Sequence, residues 1–279
     1  MNLNKTKIEW CTHTWNPVTG CYHGCDFCYA RRFADRFKPH GIERPMNPEA
    51  ILTTKDYGTG QIIHSLSQPV KISDGTGGPG RDCKYPHGFE PTIHRYRMDH
   101  PQQHTTPATI FVCSMADLFG EWIPDEWIEE VFEACRKAPQ HIYMFLTKNP
   151  RRYIELACAG KLPKEENFWY GSTATDPQKP IFFAEGYNTF VSYEPVLKDF
   201  GTPDDIKTSA VRSTDWAIIG AETGSRKNKV VPKREWVEGI VNSYHAAGKP
   251  VFMKDSMIPI WGEDIPRERP AAMEGHGNG

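Results

Sequence analysis

From Thr109 onward, short apolar runs alternate with amphipathic stretches, and this alternation restricts the fold more than any other feature of the chain. TIFVCSM, HIYMFLTK, FWYGSTA, FVSYEPVL, WAIIGAETG and PVFMKDS read as strands. Between them, DEWIEEVFEACRKA sets Trp127, Ile128, Val131, Phe132 and Cys135 on one helical face. NPRRYIELACAG reads as a second helix, and Lys233 to Ala247 as a third with Trp236, Val237, Ile240 and Val241 together. Apolar strands joined by helices suit a parallel sheet, whose crossover helices cover both faces. Ile8 to Thr14 adds an early strand, followed by a Pro/Gly turn at Asn16 to Gly20 and the helical RRFADRF. The expectation is an α/β fold, a full or partial parallel (β/α) barrel in a single domain over residues 1–279. A doubly wound sheet competes, but no glycine-rich dinucleotide fingerprint follows the first strand.

Residues 41–107 interrupt the pattern after the first βα unit. GTGGPGRDCKYPHGF is glycine-rich, and Ile51, Leu52, Ile62, Ile63 and Leu66 form only short apolar pieces. The region reads as a long insertion, flexible or covering a substrate, with no helix forced onto it.

Polar residues recur where the strands end: Asp117, Lys148, Ser172 with Thr173, Glu194, Glu222, and Lys254 with Asp255. In a parallel barrel these ends open on one face, where barrel enzymes place their chemistry.

The chain has 279 residues, with 33 Lys+Arg against 35 Asp+Glu and a formal net charge of -2. Nothing in that balance demands a nucleic acid or a membrane surface. No apolar run is long enough to span a bilayer, and the first residues do not read as a signal peptide. The expectation is a cytoplasmic protein without a membrane partner.

Three of the eight cysteines, Cys21, Cys25 and Cys28, fall in CYHGCDFC with the spacing C-x3-C-x2-C. Three thiolates on one loop can hold three irons of a [4Fe–4S] cluster and leave the fourth open to a small molecule. Zinc with His23 or His13 as a further ligand is the competing reading. With Phe27 directly before the last cysteine, the stretch resembles the signature of the radical S-adenosylmethionine superfamily. The segments IEWCTHTWNPVTGC, SMADLFGEWIPDEW, PQHIYMFLTKNPRR, FWYGSTA, FVSYEPVL, WAIIGAETG and VFMKDSM resemble, in this order, a little-characterised family of such enzymes in bacteria and their phages.

The resemblance implies a [4Fe–4S] cluster on the three cysteines. S-adenosylmethionine would be cleaved there to a 5'-deoxyadenosyl radical that abstracts hydrogen from a substrate. It also implies a reducing partner such as flavodoxin or ferredoxin. Phe27 and the backbone after it, at Tyr29, would lie near the adenine. Ser114 and Asp117 would contact the methionine amino group, and Ser172 or Thr173 the ribose or carboxylate. Glu194 and Glu222 would bind ribose or substrate, and Lys148 and Lys254 would neutralise an anion. Cys113, if turned inward, could return a hydrogen atom. A nucleoside or nucleic-acid substrate is the preferred expectation.

Two other classes stay open. A metal-dependent barrel hydrolase needs histidines at the strand ends, which this series does not supply. A non-enzymatic iron–sulfur or zinc module, sensing redox state or docking nucleic acid, needs no such series. Within the insertion, Cys83, His87, His94, His100 and His104 suggest either a second metal or a histidine-rich flexible loop. The run RDCKYPHGFEPTIHRYRMDH interleaves basic and aromatic residues, a hint of nucleic-acid contact.

Overall fold

A computed structural model of the chain describes residues 3–39, 45–56, 61–73, 78–201, 213–224 and 226–274. In chain order the strands are β1 (Asn4–Lys5), β2 (His13–Trp15), β3 (Val18–Thr19), β4 (Ile51–Asp56), β5 (Ile62–Leu66), β6 (Val70–Ile72), β7 (Arg81–Cys83) and β8 (Thr92–His94). They continue with β9 (Thr109–Val112), β10 (Ile142–Thr147), β11 (Phe168–Thr173), β12 (Asn188–Tyr193), β13 (Trp216–Ile219) and β14 (Val251–Met253). The helices are α1 (Tyr29–Phe37), α2 (His100–Gln103), α3 (Asp125–Arg136), α4 (Pro150–Cys158), α5 (Arg234–Ala246) and α6 (Ile258–Trp261). Two compact units divide them. Unit 1 is Met1–Asn4, Thr14–Thr105 and Val112–Ala138; unit 2 is Lys5–His13, Thr106–Phe111 and Pro139–Gly279.

All eight strands of the larger sheet contribute residues to unit 2, in the order β1-β2-β9-β10-β11-β12-β13-β14. From β10 to β14 every pairing is parallel, for example Phe145↔Tyr170, Ser172↔Val191, Ser192↔Ile218 and Ile218↔Phe252. The apolar runs arise because both faces are covered. Every residue of β9, β11, β13 and β14 is buried. Alternate residues then sort by face. Val191, Tyr193, Ala217, Ile219, Val251 and Met253 pack with Val237, Ile240 and Tyr244 of α5. Their neighbours Phe190, Trp216, Ile218 and Phe252 pack with Trp10, Phe111, Met144 and Trp169. Gly171 makes room on that second face: a Cβ there would stand 2.2 Å from the Phe190 ring. Helix α4 begins with Pro150 at its first position, where the missing N–H costs no helical bond, and buries Tyr153 and Leu156.

The sequence-based α/β expectation holds at this level, as a mixed fold with parallel and antiparallel sheets. Beta1 and β14 are the two ends of the large sheet, and no pairing joins them among the described residues. The strand expected at Ile8 to Thr14 is displaced. Residues 9 and 10 form a turn closed by the Cys11 N–H on the Ile8 carbonyl, and β2 starts at His13. Trp10 is buried from that turn by its ring contacts with Phe111 and Phe190, so its apolarity marked core rather than strand.

In unit 1 the region expected to be an insertion, flexible or covering a substrate, contributes strands β4 to β8 and the short helix α2 among its described residues. Its residues 41–44, 57–60 and 74–77 lie outside the described residues. A four-stranded sheet has the order β3-β8-β5-β4, antiparallel except for the parallel β5–β8 pair. Beta6 and β7 form a separate antiparallel pair. Ala50, Leu66, Val70, Ile72 and Cys83 gather into one small core, so apolar pieces too short to show a period still bury one another. In α3 the expected stripe is buried, from Trp127 to Cys135. No helix among the described residues is long and apolar enough to cross a membrane.

Candidate metal centre

The small sheet of unit 1 brings two histidines and a carboxylate together. His64 lies in the middle of β5, opposite Thr92 of β8, and its N–H donates to the Pro91 carbonyl at 2.9 Å. Two tight turns lead into β8, with Gly88 N–H on the Tyr85 carbonyl and Glu90 N–H on the His87 carbonyl. Gly88 takes the first of them through a positive φ of 61°. The turns fold His87 and Glu90 back over His64. The Glu90 backbone is fixed further by Thr92 Oγ1, which donates to its carbonyl at 2.9 Å.

His64 Nε2 and Glu90 Oε2 are 2.6 Å apart, and the His64 ring is stacked on His87 with centroids 3.5 Å apart and planes 3° from parallel. One ligand atom from each of the three residues lies within 4.8 Å of the other two. His64 is buried, while His87 and Glu90 are half-buried. The Nε2 of His87 is buried and has no hydrogen-bond partner among the described residues. Burial first, and the neighbouring His64 second, push the His87 pKa down to about 4. The imidazole is therefore neutral at physiological pH, which is the form that binds metal. Two imidazoles and a carboxylate are a donor set for zinc and similar divalent ions.

The sequence grouped His87 with the wrong partners. His94 is a satisfied core histidine: Nε2 meets Thr19 Oγ1 at 2.9 Å and Nδ1 meets the Tyr96 hydroxyl at 3.1 Å. Cys83 belongs to the small core. His64 and Glu90 were not anticipated. The available signals were a histidine inside the apolar run IIHSL and a His-x-x-Glu spacing around the turn glycine Gly88.

The cysteine loop is also in unit 1. The Cys21 N–H donates to the Phe89 carbonyl at 3.1 Å, and the Cys28 N–H to the Cys25 carbonyl at 3.1 Å. Cys28 caps α1 by accepting the Arg31 N–H on its sulfur at 3.3 Å, and the Cys21 sulfur accepts the His23 N–H at 3.5 Å. All three are half-buried thiols outside any disulfide. Burial, reinforced by Asp117, raises the Cys21 pKa to about 12, and Cys25 and Cys28 add smaller contributions in the same direction.

Half-buried Phe27 and exposed Tyr29 flank Cys28, and the Tyr29 hydroxyl donates to the Ser114 carbonyl at 2.5 Å. Ser114 Oγ donates to Asn16 Oδ1 at 3.2 Å. Buried Asp117 accepts from Phe119 N–H at 3.0 Å and lies 2.7 Å from His23 Nε2. Cys113 is fully buried with φ of 60°, and burial raises its pKa to about 12.

The remaining predicted site residues belong to unit 2, and most are partnered within it. Lys254 Nζ and Glu194 Oε1 are 2.6 Å apart, and Ser192 Oγ donates to the other Glu194 oxygen at 3.1 Å. Burial opposes the Lys254 charge, but the Glu194 carboxylate outweighs it and raises the lysine pKa. Glu222 holds Arg226 in a bidentate pair with both contacts at 2.6 Å, which lowers the Glu222 pKa. Lys148 Nζ is 3.5 Å from Thr173 Oγ1, and Ser172 Oγ accepts the Phe182 N–H at 2.8 Å.

Fold and site together define a mixed α/β protein whose convergent ligand group is His/His/Glu. The chain matches the family described as "Protein of unknown function (DUF5131)" over residues 5–275 and belongs to it. No curated protein matches the chain, and no solved structure does.

These findings correct the radical S-adenosylmethionine expectation. The triplet Cys21, Cys25 and Cys28 does not converge into a ligand group of that kind among the described residues, whereas His64, His87 and Glu90 do. Two of its sulfurs accept backbone N–H groups instead. The expected [4Fe–4S] cluster, the S-adenosylmethionine cofactor, the radical enzyme activity and the likeness to a phage-associated radical family are therefore withdrawn. The hydrogen-atom donation expected of Cys113 depended on that chemistry.

Proposed function

We propose that this protein is a metal-binding module that holds a zinc-type divalent ion on His64, His87 and Glu90. The observation that carries the reading is the buried, neutral His87, whose Nε2 has no partner among the described residues, stacked on a second imidazole bonded to a carboxylate. A buried polar atom without a partner costs about 1–3 kcal/mol, which a ligand would remove. Zinc–nitrogen bonds are about 2.0–2.1 Å long, and two parallel rings cannot aim both lone pairs at one ion. Binding therefore swings one imidazole out of the stack. Three protein ligands leave a fourth position for water or a partner's side chain.

Two coarser features join this reading. The consecutive parallel order from β10 to β14 suits part of a (β/α) barrel, with the aromatic face inside. Eight cysteines outside any disulfide suit a reducing cytoplasm.

The test is zinc stoichiometry and affinity on chelator-stripped protein, followed with cobalt as a spectroscopic substitute. One ion per chain, lost in His87→Ala and retained in Cys25→Ala, is the expected result. No bound ion would reduce the group to a structural histidine stack. An ion that survives His87→Ala but is lost in Cys25→Ala, with sulfur-to-cobalt charge-transfer bands, would move the metal to the cysteine loop.

A further inference from the structure

Helix α1 presents its large apolar residues outward. Its buried side chains are Ala30 and Ala34, which pack with Tyr85, Phe89 and Met115. Tyr29, Phe33 and Phe37 follow at every fourth position and are 53%, 46% and 44% exposed. Successive members of this stripe rise about 6 Å along the helix. An ordinary surface helix buries its large apolar residues and exposes the polar ones. The Phe33 and Phe37 rings lie 4.7 Å apart at 48°, a preformed aromatic surface. The Tyr29 ring is anchored at its rim by the hydroxyl bond to Ser114.

The charge around the stripe is positive. Arg31, Arg32 and Arg36 stand against Asp35 in the helix, a balance of +2 (three minus one) in a chain whose net charge is -2. Arg32 and Arg36 are exposed, Lys38 follows directly, and the Arg36 guanidinium lies 5.7 Å from the Phe37 ring centre. The basic and aromatic run noted later in the sequence lacks this exposure. Its Tyr85 and Phe89 are buried, and Tyr96 is half-buried with its hydroxyl held by Arg97.

We infer that the outer face of α1 docks single-stranded nucleic acid. Bases stack on the Phe33–Phe37 pair and on Tyr29, and Arg32 and Arg36 meet the phosphates. Exposed rings interleaved with guanidinium groups match an unpaired strand, whose bases are free to stack and whose backbone is anionic. A duplex keeps its bases inside and offers the rings nothing. The inference is independent of the metal centre.

The test is fluorescence anisotropy of the full chain with a labelled oligothymidylate, with the same sequence annealed as a duplex for comparison. The expected result is single-strand binding that weakens with salt. Phe33→Ala should weaken it roughly tenfold, and Arg32→Gln with Arg36→Gln should flatten the salt dependence. Circular dichroism melting of the arginine variant should match the parent, because Arg32 and Arg36 are exposed, and Phe33→Ala should stay folded with only its ring contacts to Phe37 and Tyr85 lost. Three results would overturn the proposal: no single-strand binding at low salt, equal binding to the duplex, or binding that Phe33→Ala leaves unchanged. A fourth would be self-association or attachment to anionic vesicles that Phe33→Ala abolishes while the oligonucleotide stays unbound.

Discussion

The polar strand ends of unit 2 and the histidine stack of unit 1 treat their polar groups in opposite ways. At the strand ends of unit 2, Glu194 has Lys254 and Ser192, and Glu222 has both nitrogens of the Arg226 fork. In unit 1, His64 and Glu90 satisfy one another while His87 stacks against them with a buried nitrogen left over. A polar residue at a strand end is thus a weak pointer to function when the chain itself supplies its counter-charge. A buried imidazole nitrogen with no partner among the described residues, stacked beside a second imidazole and a carboxylate, is a stronger one, because a ligand would complete all three donors at once.

The comparison breaks first on metal affinity. Replacing the outer partners of metal ligands costs about 10–100-fold, so removing a ligand should cost more. His87→Ala should weaken zinc at least about 100-fold in a competition titration. Lys254→Met should leave the affinity within experimental scatter. Equal losses from both variants would erase the distinction between the two regions.

The next effect is on stability. Lys254→Met leaves the Glu194 carboxylate without its cation in a site where both side chains are mostly buried, 24% and 19% exposed. A loss of about 1–3 kcal/mol is expected in urea unfolding. A neutral result would mean that water already screens the pair.

The His87 pKa gives a pH test on the apoprotein. Its folded value is about 4 and its unfolded value about 6.5. Above the unfolded value both states are neutral, and below the folded value both are protonated. Between them only the unfolded state holds the proton, so stability falls as pH drops from about 6.5 towards 4. With partial exposure allowed for, the loss is about 2 kcal/mol. His87→Gln should flatten this limb of the stability–pH curve. An unchanged curve would show that the ring titrates normally.

Much of unit 2 was legible because burial on both faces writes itself into sequence as continuous apolar runs. TIFV, FWYGST and WAII became β9, β11 and β13; the one clearly legible piece of unit 1 was the Trp127 to Cys135 stripe, the buried face of α3. The sheet of unit 1 was not legible in this way. It pairs β5 with β8 across an intervening two-stranded pair, and its strands carry polar residues such as His64 and Ser65 in place of continuous apolar runs. The candidate centre was half visible. His87 was one of four histidines noted in the insertion and Glu90 lay three residues on, but His64 reaches them through strand register, which no local spacing encodes. The cysteine triplet drew attention through its spacing, and spacing alone does not say which donor atoms converge.

The smallest effect should come from the Glu222–Arg226 pair. Hydrogen bonds from Arg226 come first in holding the Glu222 carboxyl below its ordinary value, and they outweigh the opposing effect of burial. A depressed carboxyl contributes stability above its unfolded pKa and loses it as pH falls through the folded value. Arg226→Met should therefore raise the Glu222 pKa, visible in a carbon-detected NMR titration, and remove that acid-side contribution. Zinc affinity should not change. A Glu222 pKa that stays low without Arg226 would show that other groups hold the carboxylate. The strand end would then have positive potential beyond its own arginine, as a binding site for an anion does, and the contrast with unit 1 would narrow.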